Sequence, residues 1–214
     1  LKQDFIDKGV PSEKLIPLGI PVSLKYSKKY DCNHIRKELN LKENERYILI
    51  MSGSMGFGNL EEMIKKLLKE FTDINFIVCC GNNKKMQEKV EKIKSNRITI
   101  LGFSKELEKY MAISEVVLTK PGGLTTTEIA TIRRPFIHTM PIPGCENYNA
   151  DFFSTRKMSL QSKNEEEIIK NLKILLNDKI MQNELMKNQE KYINQNSCNN
   201  LANLVIEKMN AIME

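Results

Sequence analysis

Six short apolar runs punctuate the chain: "KLIPLGIPV", "RYILIMSG", "NFIVCCG", "RITILGF", "EVVLTK" and "PFIHTM". Each has the length of a buried strand, and most are rich in Ile and Val. Between them lie stretches of helical period. In "NLEEMIKKLLKEFTD" the apolar residues Leu60, Met63, Ile64, Leu67, Leu68 and Phe71 share one face. "NNKKMQEKVEKIKSN", "SKELEKYMAIS" and "LTTTEIATIRR" follow in turn. Strand then helix, repeated, predicts an α/β fold: a Rossmann-like parallel sheet with helices on both faces. From about residue 164 the chain turns helical. "NEEEIIKNLKILLND" opens on acidic residues that suit a helix N-terminus, and two further helices are expected through "KIMQNELMKNQEKYINQN" and "CNNLANLVIEKMNAIM". No internal repeat or linker interrupts residues 1–214.

Composition narrows the class. With 214 residues and 41% apolar content the chain can bury a core as one domain or large lobe. Its 28% charged residues, without a low-complexity tract, argue against disorder. No apolar run is long enough to cross a bilayer and no signal segment is visible. The chain opens without Met and reads as a piece of a longer protein. A net charge of +6 suits anionic ligands, but its spread does not select nucleic acid. Five cysteines without a CxxC pair suit free thiols in a reducing cytosol, with Cys79 and Cys80 as small buried strand residues. His34 and His138 show no ligand spacing, so no metal site is expected.

In such sheets ligands sit at the carboxyl ends of strands. Four loops there carry unusual residues. The first, "SGSMGFGN" at residues 52–59, has Gly53, Ser54 and Gly56 before a helix, where amides and helix dipole favour an anion. Its spacing matches neither GxGxxG nor a P-loop, and a plain tight turn explains it equally well. The second, "TKPGGLTTTEIA", stiffens the strand exit with Pro121 and removes side chains at Gly122 and Gly123. Thr125 and its neighbours offer hydroxyls and amides. Thr125-x-x-Glu128 fits a capping box, but Glu128, expected one turn into the helix, equally fits a carboxylate accepting from a ribose diol. The residues alone leave both roles open.

The third loop, "LGFSKELEKY", places Phe103 and Ser104 at a strand end. They suit a planar base, although an aromatic closing the core with Ser104 as helix cap is the simpler reading. The fourth, "PIPGCENYNADFF", brings Glu146, Asn147 and Asn149 together after a turn at Gly144, and Phe152 and Phe153 are expected to return to the core. Carboxylates and amides suit sugar hydroxyls, which donate and accept together. An anion loop, a diol acceptor, a base platform and a hydroxyl-binding cluster are the parts that hold a nucleotide sugar.

"TKPGGLTTTEIA…RRPFI" followed by "PIPGCENYNADFF" resembles the C-terminal, donor-binding half of the monogalactosyldiacylglycerol synthase and processive diacylglycerol glucosyltransferase family, and more distantly the peptidoglycan glycosyltransferase MurG. The likeness covers nearly the whole chain, taking in "GIPV" at residues 19–22, the glycine loop at Gly53, the "LGF" turn and the long motif from Lys120 to Phe153. It implies the C-terminal lobe of a GT-B glycosyltransferase, with the whole chain as nucleotide-sugar domain and the N-terminal acceptor half absent. It implies inverting, metal-independent hexosyl transfer from a UDP-sugar, UDP-glucose before UDP-galactose, to diacylglycerol. No cofactor and no nucleic acid are implied. The full-length protein is expected in the cytoplasm, peripheral on the cytoplasmic face of the membrane. Phe103 and Ser104 are then expected near the uracil. Gly122, Gly123, Leu124 and Thr125 line the pyrophosphate and ribose, Glu128 holds the ribose hydroxyls, and Glu146 and Asn149 face the hexose. The catalytic base belongs to the missing half, so this chain alone is expected to be inactive.

Two departures touch specificity. Relatives often carry Gln at Cys145, and many carry a basic residue at Ser23, for which Lys25 is the nearest substitute. His138 reads as a structural histidine, "KYSKKY" at residues 25–30 as a solvated connector, and Lys84, Lys85, Lys89 and Lys92 as the wet face of a helix. An epimerase-like enzyme of related fold and a non-catalytic UDP-sugar-binding module are the rival readings.

Overall fold

The computed structural model describes residues 2–51, 60–139 and 144–213, the Cys145 side chain apart. A short helix α1 (Lys2–Asp7) and 3-10 turns at Ser12–Lys14 and Leu24–Ser27 precede α2 (Cys32–Glu38). Then follow β1 (Arg46–Met51), α3 (Leu60–Glu70), β2 (Ile74–Gly81), α4 (Lys84–Glu91), β3 (Ile98–Gly102) and α5 (Leu107–Ile113). Next come β4 (Val116–Thr119), α6 (Gly123–Thr131), β5 (Phe136–Thr139), α7 (Cys145–Thr155) and β6 (Leu160–Ser162). Three helices end the chain: α8 (Glu165–Asn177), α9 (Lys179–Tyr192) and α10 (Ser197–Met213).

The strands form one parallel sheet in the order β3-β2-β1-β4-β5-β6. Both faces are covered, which is why the central strands read as unbroken apolar runs. Along β1 the side chains alternate between two cores. Ile48 and Ile50 pack with Leu60, Ile64 and Leu67 of α3 and Leu172 and Leu175 of α8. Tyr47 and Leu49 pack with Met111 of α5, Ile129 of α6 and Phe153 of α7. Asp31, Asn83, Asn164 and Asp178 cap α2, α4, α8 and α9 through their side chains, each worth about 1 kcal/mol.

β1 pairs with β2 on one side and β4 on the other, Met51 lying beside both Cys79 and Thr119. Strand order therefore reverses between β1 and β4, and a crevice opens beyond their carboxyl ends.

Three sequence expectations change. "KLIPLGIPV" forms no strand. Pro17 and Pro21 have no N–H for a ladder, and Gly19 turns the backbone at φ +84°. The segment is held instead by side chains, Asn194 Nδ2 donating to Leu18 O at 3.0 Å and Ser197 Oγ to Ile20 O at 2.9 Å. The three-residue β6 was not foreseen, being polar and paired only along β5. Phe153 is buried as expected, but Phe152 is exposed and lies under the Arg156 guanidinium at 4.1 Å. Neighbouring residues on a helix point about 100° apart, so only one of the two faces the sheet.

His138 is fully buried in β5, its Nδ1 3.2 Å from Ser159 Oγ, with Phe136 and Phe153 edge-on. Burial lowers its pKa to about 3, so it is neutral. Cys32, Cys79, Cys80 and Cys198 are free thiols, and burial raises the pKa of the Cys79 and Cys80 thiols. Lys84, Lys85, Lys89 and Lys92 are exposed.

Candidate functional site

β4 ends in the crevice and the chain turns through Lys120, Pro121 and Gly122 into α6. Gly122 is the N-cap residue, in ordinary extended geometry (φ −74°, ψ 131°), and no side chain caps the helix. The first amides of α6 therefore keep their partial positive charge for an incoming acceptor. Among the described residues a Cβ on Gly122 would meet nothing within 4 Å, so they leave the space in front of the helix open. Gly123 is the opposite case: a Cβ there would stand 3.4 Å from Ile20 Cδ1 and 3.7 Å from Asn149 Nδ2. The incoming segment and α7 thus pack on the helix start at ordinary van der Waals distance, which by itself does not require a glycine.

The helix begins three residues earlier than a capping box requires. Thr125 lies inside the first turn, so the box pairing it with Glu128 does not form. Thr126 and Thr127 donate their hydroxyls back to Gly122 O and Gly123 O, which leaves Thr125 as the threonine of this turn available to a ligand. Leu124 is 54% exposed beside it. Glu128 lies five residues beyond Gly123, about 7.5 Å along the axis rather than the single turn expected.

The half-buried Glu128 carboxylate faces the hydroxyl of Tyr26. Desolvation raises its pKa, while the Tyr26 hydroxyl and the Lys25 charge pull it down. Tyr26 is itself buried, and its own pKa is raised by desolvation and by Glu128. Lys25 pairs with the buried Glu108 carboxylate of α5 at 2.8 Å and donates to Lys105 O at 2.7 Å. The 3-10 turn Leu24–Ser27 is thus a strap joining α6 to the loop after β3. The expectation of a solvated connector fails here, because Tyr26 and Lys25 each have a buried carboxylate to meet. The ion pair also leaves Lys25 directed at Glu108 rather than at the Gly122 end of α6. Charge–aromatic alternation in "KYSKKY" was the available signal, but nothing in it names Glu108 or Glu128 as partners.

Phe103 stands at the end of β3, 68% exposed, so it does not close the core. With Met51, Cys79, Gly81 and Asn82 it lines a cleft of about 390 Å³ beside the crevice. Ser104 Oγ accepts from Glu106 N at 3.1 Å, but Glu106, not Ser104, is the N-cap residue of α5. Across the crevice, Gly144 enters α7 with φ +113°, a backbone conformation that favours glycine. Glu146 lies in the first turn of α7 and Asn149 one turn on. Asn149 Nδ2 donates to Pro121 O at 2.9 Å and so fastens α7 to the loop after β4. Gly122, Gly123, Leu124, Thr125, Glu128 and Asn149 thus come together, and the Phe103–Ser104 loop is tethered to them through the strap. Gly53, Ser54 and Gly56 lie outside the described residues. Among the described residues no group of three or more His, Cys, Asp or Glu side chains is placed to hold a metal ion, and no helix is long and apolar enough to cross a membrane.

Known proteins resemble this chain in sequence and in fold. Residues 47–205 match the model of the glycosyltransferase family 28 C-terminal domain. The processive diacylglycerol beta-glucosyltransferase of Bacillus licheniformis is 29% identical over 217 residues, covering 100% of this chain and 56% of that protein. The chain therefore spans about half the length of the curated relatives it matches. Among solved structures, the S. aureus MnaA–UDP co-structure superposes with a TM-score of 0.77 at 17% identity, over 100% of this chain and 60% of that one. Acinetobacter baumannii MurG superposes with a TM-score of 0.65 at 20% identity, over 88% and 57%. These two likenesses show the fold, a GT-B-type Rossmann lobe. By the match over residues 47–205, the chain belongs to the glycosyltransferase family 28 C-terminal domain family.

Proposed function

We propose that this chain is the donor-binding lobe of an inverting UDP-hexosyltransferase that makes glycolipid from diacylglycerol, with UDP-glucose favoured over UDP-galactose. One observation carries the reading: the uncapped N-terminus of α6 faces the crevice with a half-buried carboxylate, Glu128, behind it. The diphosphate takes the helix start, where amides and dipole oppose its charge. The ribose diol takes Glu128, and the base lies against Phe103. Glu146 and Asn149 of α7 serve the hexose.

Loss of UDP builds negative charge on the leaving diphosphate. Main-chain amides already oriented toward it stabilise that charge without reorganisation, and the reading assigns no metal or cofactor to the step. Inversion requires the acceptor hydroxyl to attack from the face opposite the diphosphate, with a base removing its proton. We assign that base, the acceptor site and peripheral contact with the cytoplasmic membrane face to the part of the longer relatives that this chain does not span. Nucleic acid has no role in the reading.

Titration calorimetry with UDP, UDP-glucose, UDP-galactose, UDP-N-acetylglucosamine and NAD tests this directly. UDP and UDP-glucose are expected to bind and NAD to fail. Preference for NAD would end the reading, and preference for UDP-N-acetylglucosamine would move it toward epimerase-like chemistry. Hexosyl transfer by this chain alone, at the rate of a full-length relative, would refute the division of labour.

A further inference from the structure

At the opposite edge of the sheet, where β5 begins, a second cleft of about 410 Å³ is walled by Tyr26, Lys28, Lys29, Arg133, Arg134 and Gln195, among others. Its volume falls in the range of small-ligand sites, roughly 300–1,000 Å³. From these walls we propose that the cleft is a binding site for a phosphate group carrying a small polar substituent, separate from the crevice that holds α6's N-terminus.

The charges are the reason. Lys28 and Lys29 are exposed, and neither forms an ion pair among the described residues. Arg133 closes the C-terminus of α6 at φ +58°, in the left-handed region that usually takes glycine. Its guanidinium is anchored by Glu190 at 2.8 Å and, with the Gln195 amide turned to suit its neighbours, by Gln195 Oε1 at 3.0–3.1 Å. Arg134 is different. One of its terminal nitrogens lies 3.7 Å from the Cys32 thiol, a weak acceptor, while its Nε is buried with no acceptor among the described residues. A guanidinium with donors in a fixed fork and no carboxylate beside it is ready to take the oxygens of an anion such as phosphate.

Cations at a helix C-terminus have an ordinary structural use, since they oppose the dipole. Here they exceed it. The ends of α5 and α6 contribute about half a negative charge each, and Arg133 is neutralised by Glu190, so Lys28, Lys29 and Arg134 leave about two positive charges over the cleft. The ring of Tyr26 forms one wall, and its hydroxyl reaches Glu128 on the other side, so the two sites are separated by a single side chain.

The test uses sn-glycerol 3-phosphate in calorimetry, and vesicles of phosphatidylcholine with or without phosphatidylglycerol in co-sedimentation. Lys28→Gln/Lys29→Gln is the variant of choice, because both side chains are exposed and the fold, checked by thermal denaturation, is expected to stand. The wild-type chain is expected to bind at least one probe, and the double variant to lose about tenfold in affinity. Binding of glycerol 3-phosphate without preference for phosphatidylglycerol identifies a soluble phosphate compound. Sedimentation that requires phosphatidylglycerol and is lost in the double variant identifies a lipid headgroup. The proposal fails if neither probe binds. It also fails if binding persists in the double variant, or if Gly122→Ala abolishes it, which would put the anion at the nucleotide crevice.

Discussion

The hydroxyl of Tyr26, on the strap before the sheet, faces the carboxylate of Glu128, on the helix after β4, and pulls its pKa down. A residue outside the βα units thereby sets the position of the group we assign to the ribose.

Removing that hydroxyl is the first test. Tyr26→Phe is expected to lower stability by about 1.5 kcal/mol at neutral pH and to weaken UDP binding while the fold persists. The pH dependence has a definite sign. Burial raises the Glu128 pKa above the ordinary 4.5, so its folded form holds the proton more tightly than the unfolded chain. That contribution is present near and below pH 4.5 and is lost as pH rises through the folded value. Tyr26 pulls this value down, so the variant raises it further. Its deficit should be small near pH 4.5 and grow toward neutrality in chemical denaturation. A pH-independent deficit would show that the hydroxyl does not govern the carboxylate.

Gly122→Ala separates fold from ligand. The backbone there suits alanine and the described residues leave the space open, so stability should change by less than about 1 kcal/mol. The added methyl stands in front of the α6 amides. UDP affinity should fall, and unchanged affinity would mean the diphosphate does not approach there.

Lys25 and Glu108 form a pair in which the carboxylate side chain is 8% and the lysine 33% exposed. Lys25→Ala leaves that carboxylate without its cation, a loss of about 2 kcal/mol once the exposure of the lysine is allowed for. Adding Glu108→Gln should restore part of it, since the buried charge is then gone. Equal losses in the single and double variants would contradict this account.

His138 supplies a second pH signature of opposite sense. Its pKa, lowered to about 3, lies below the ordinary 6.5, so the unfolded chain takes up a proton that the folded one refuses. Stability falls as pH drops through that interval, by up to about 1.4 kcal/mol per unit. His138→Gln should be less stable at pH 7, and its deficit should shrink as the medium is acidified. A deficit that stays constant would mean that the histidine is protonated in the fold.

β1, β2, β4 and β5 could be read from the chain because their centres are buried on both faces and therefore mostly apolar, and the half-buried edge strand β3 because Ile98, Ile100 and Leu101 mark it. α3 and α8 could be read because one face meets the sheet and the other meets water. β6 and α7 escaped for the complementary reason. β6 is three residues long, with a polar Gln161 and Ser162. α7 starts after a glycine at φ +113° and carries little apolar periodicity. The early end of "KLIPLGIPV" as a candidate strand turned on side chains from the α9–α10 turn, nearly 180 residues away in sequence.

The site divides along the same line. The order of apolar and polar residues dictated a parallel sheet, and the Pro-Gly-Gly turn and its following threonines marked the turn into α6 to which we assign the diphosphate, because both follow from local backbone rules. Which threonine stays free, whether Glu128 caps its own helix, and what Lys25 and Tyr26 touch were settled only by tertiary packing. Those outcomes depend on where a helix begins and on which buried charge needs a partner, and such partners are brought together by folding across some 80 to 100 residues of chain.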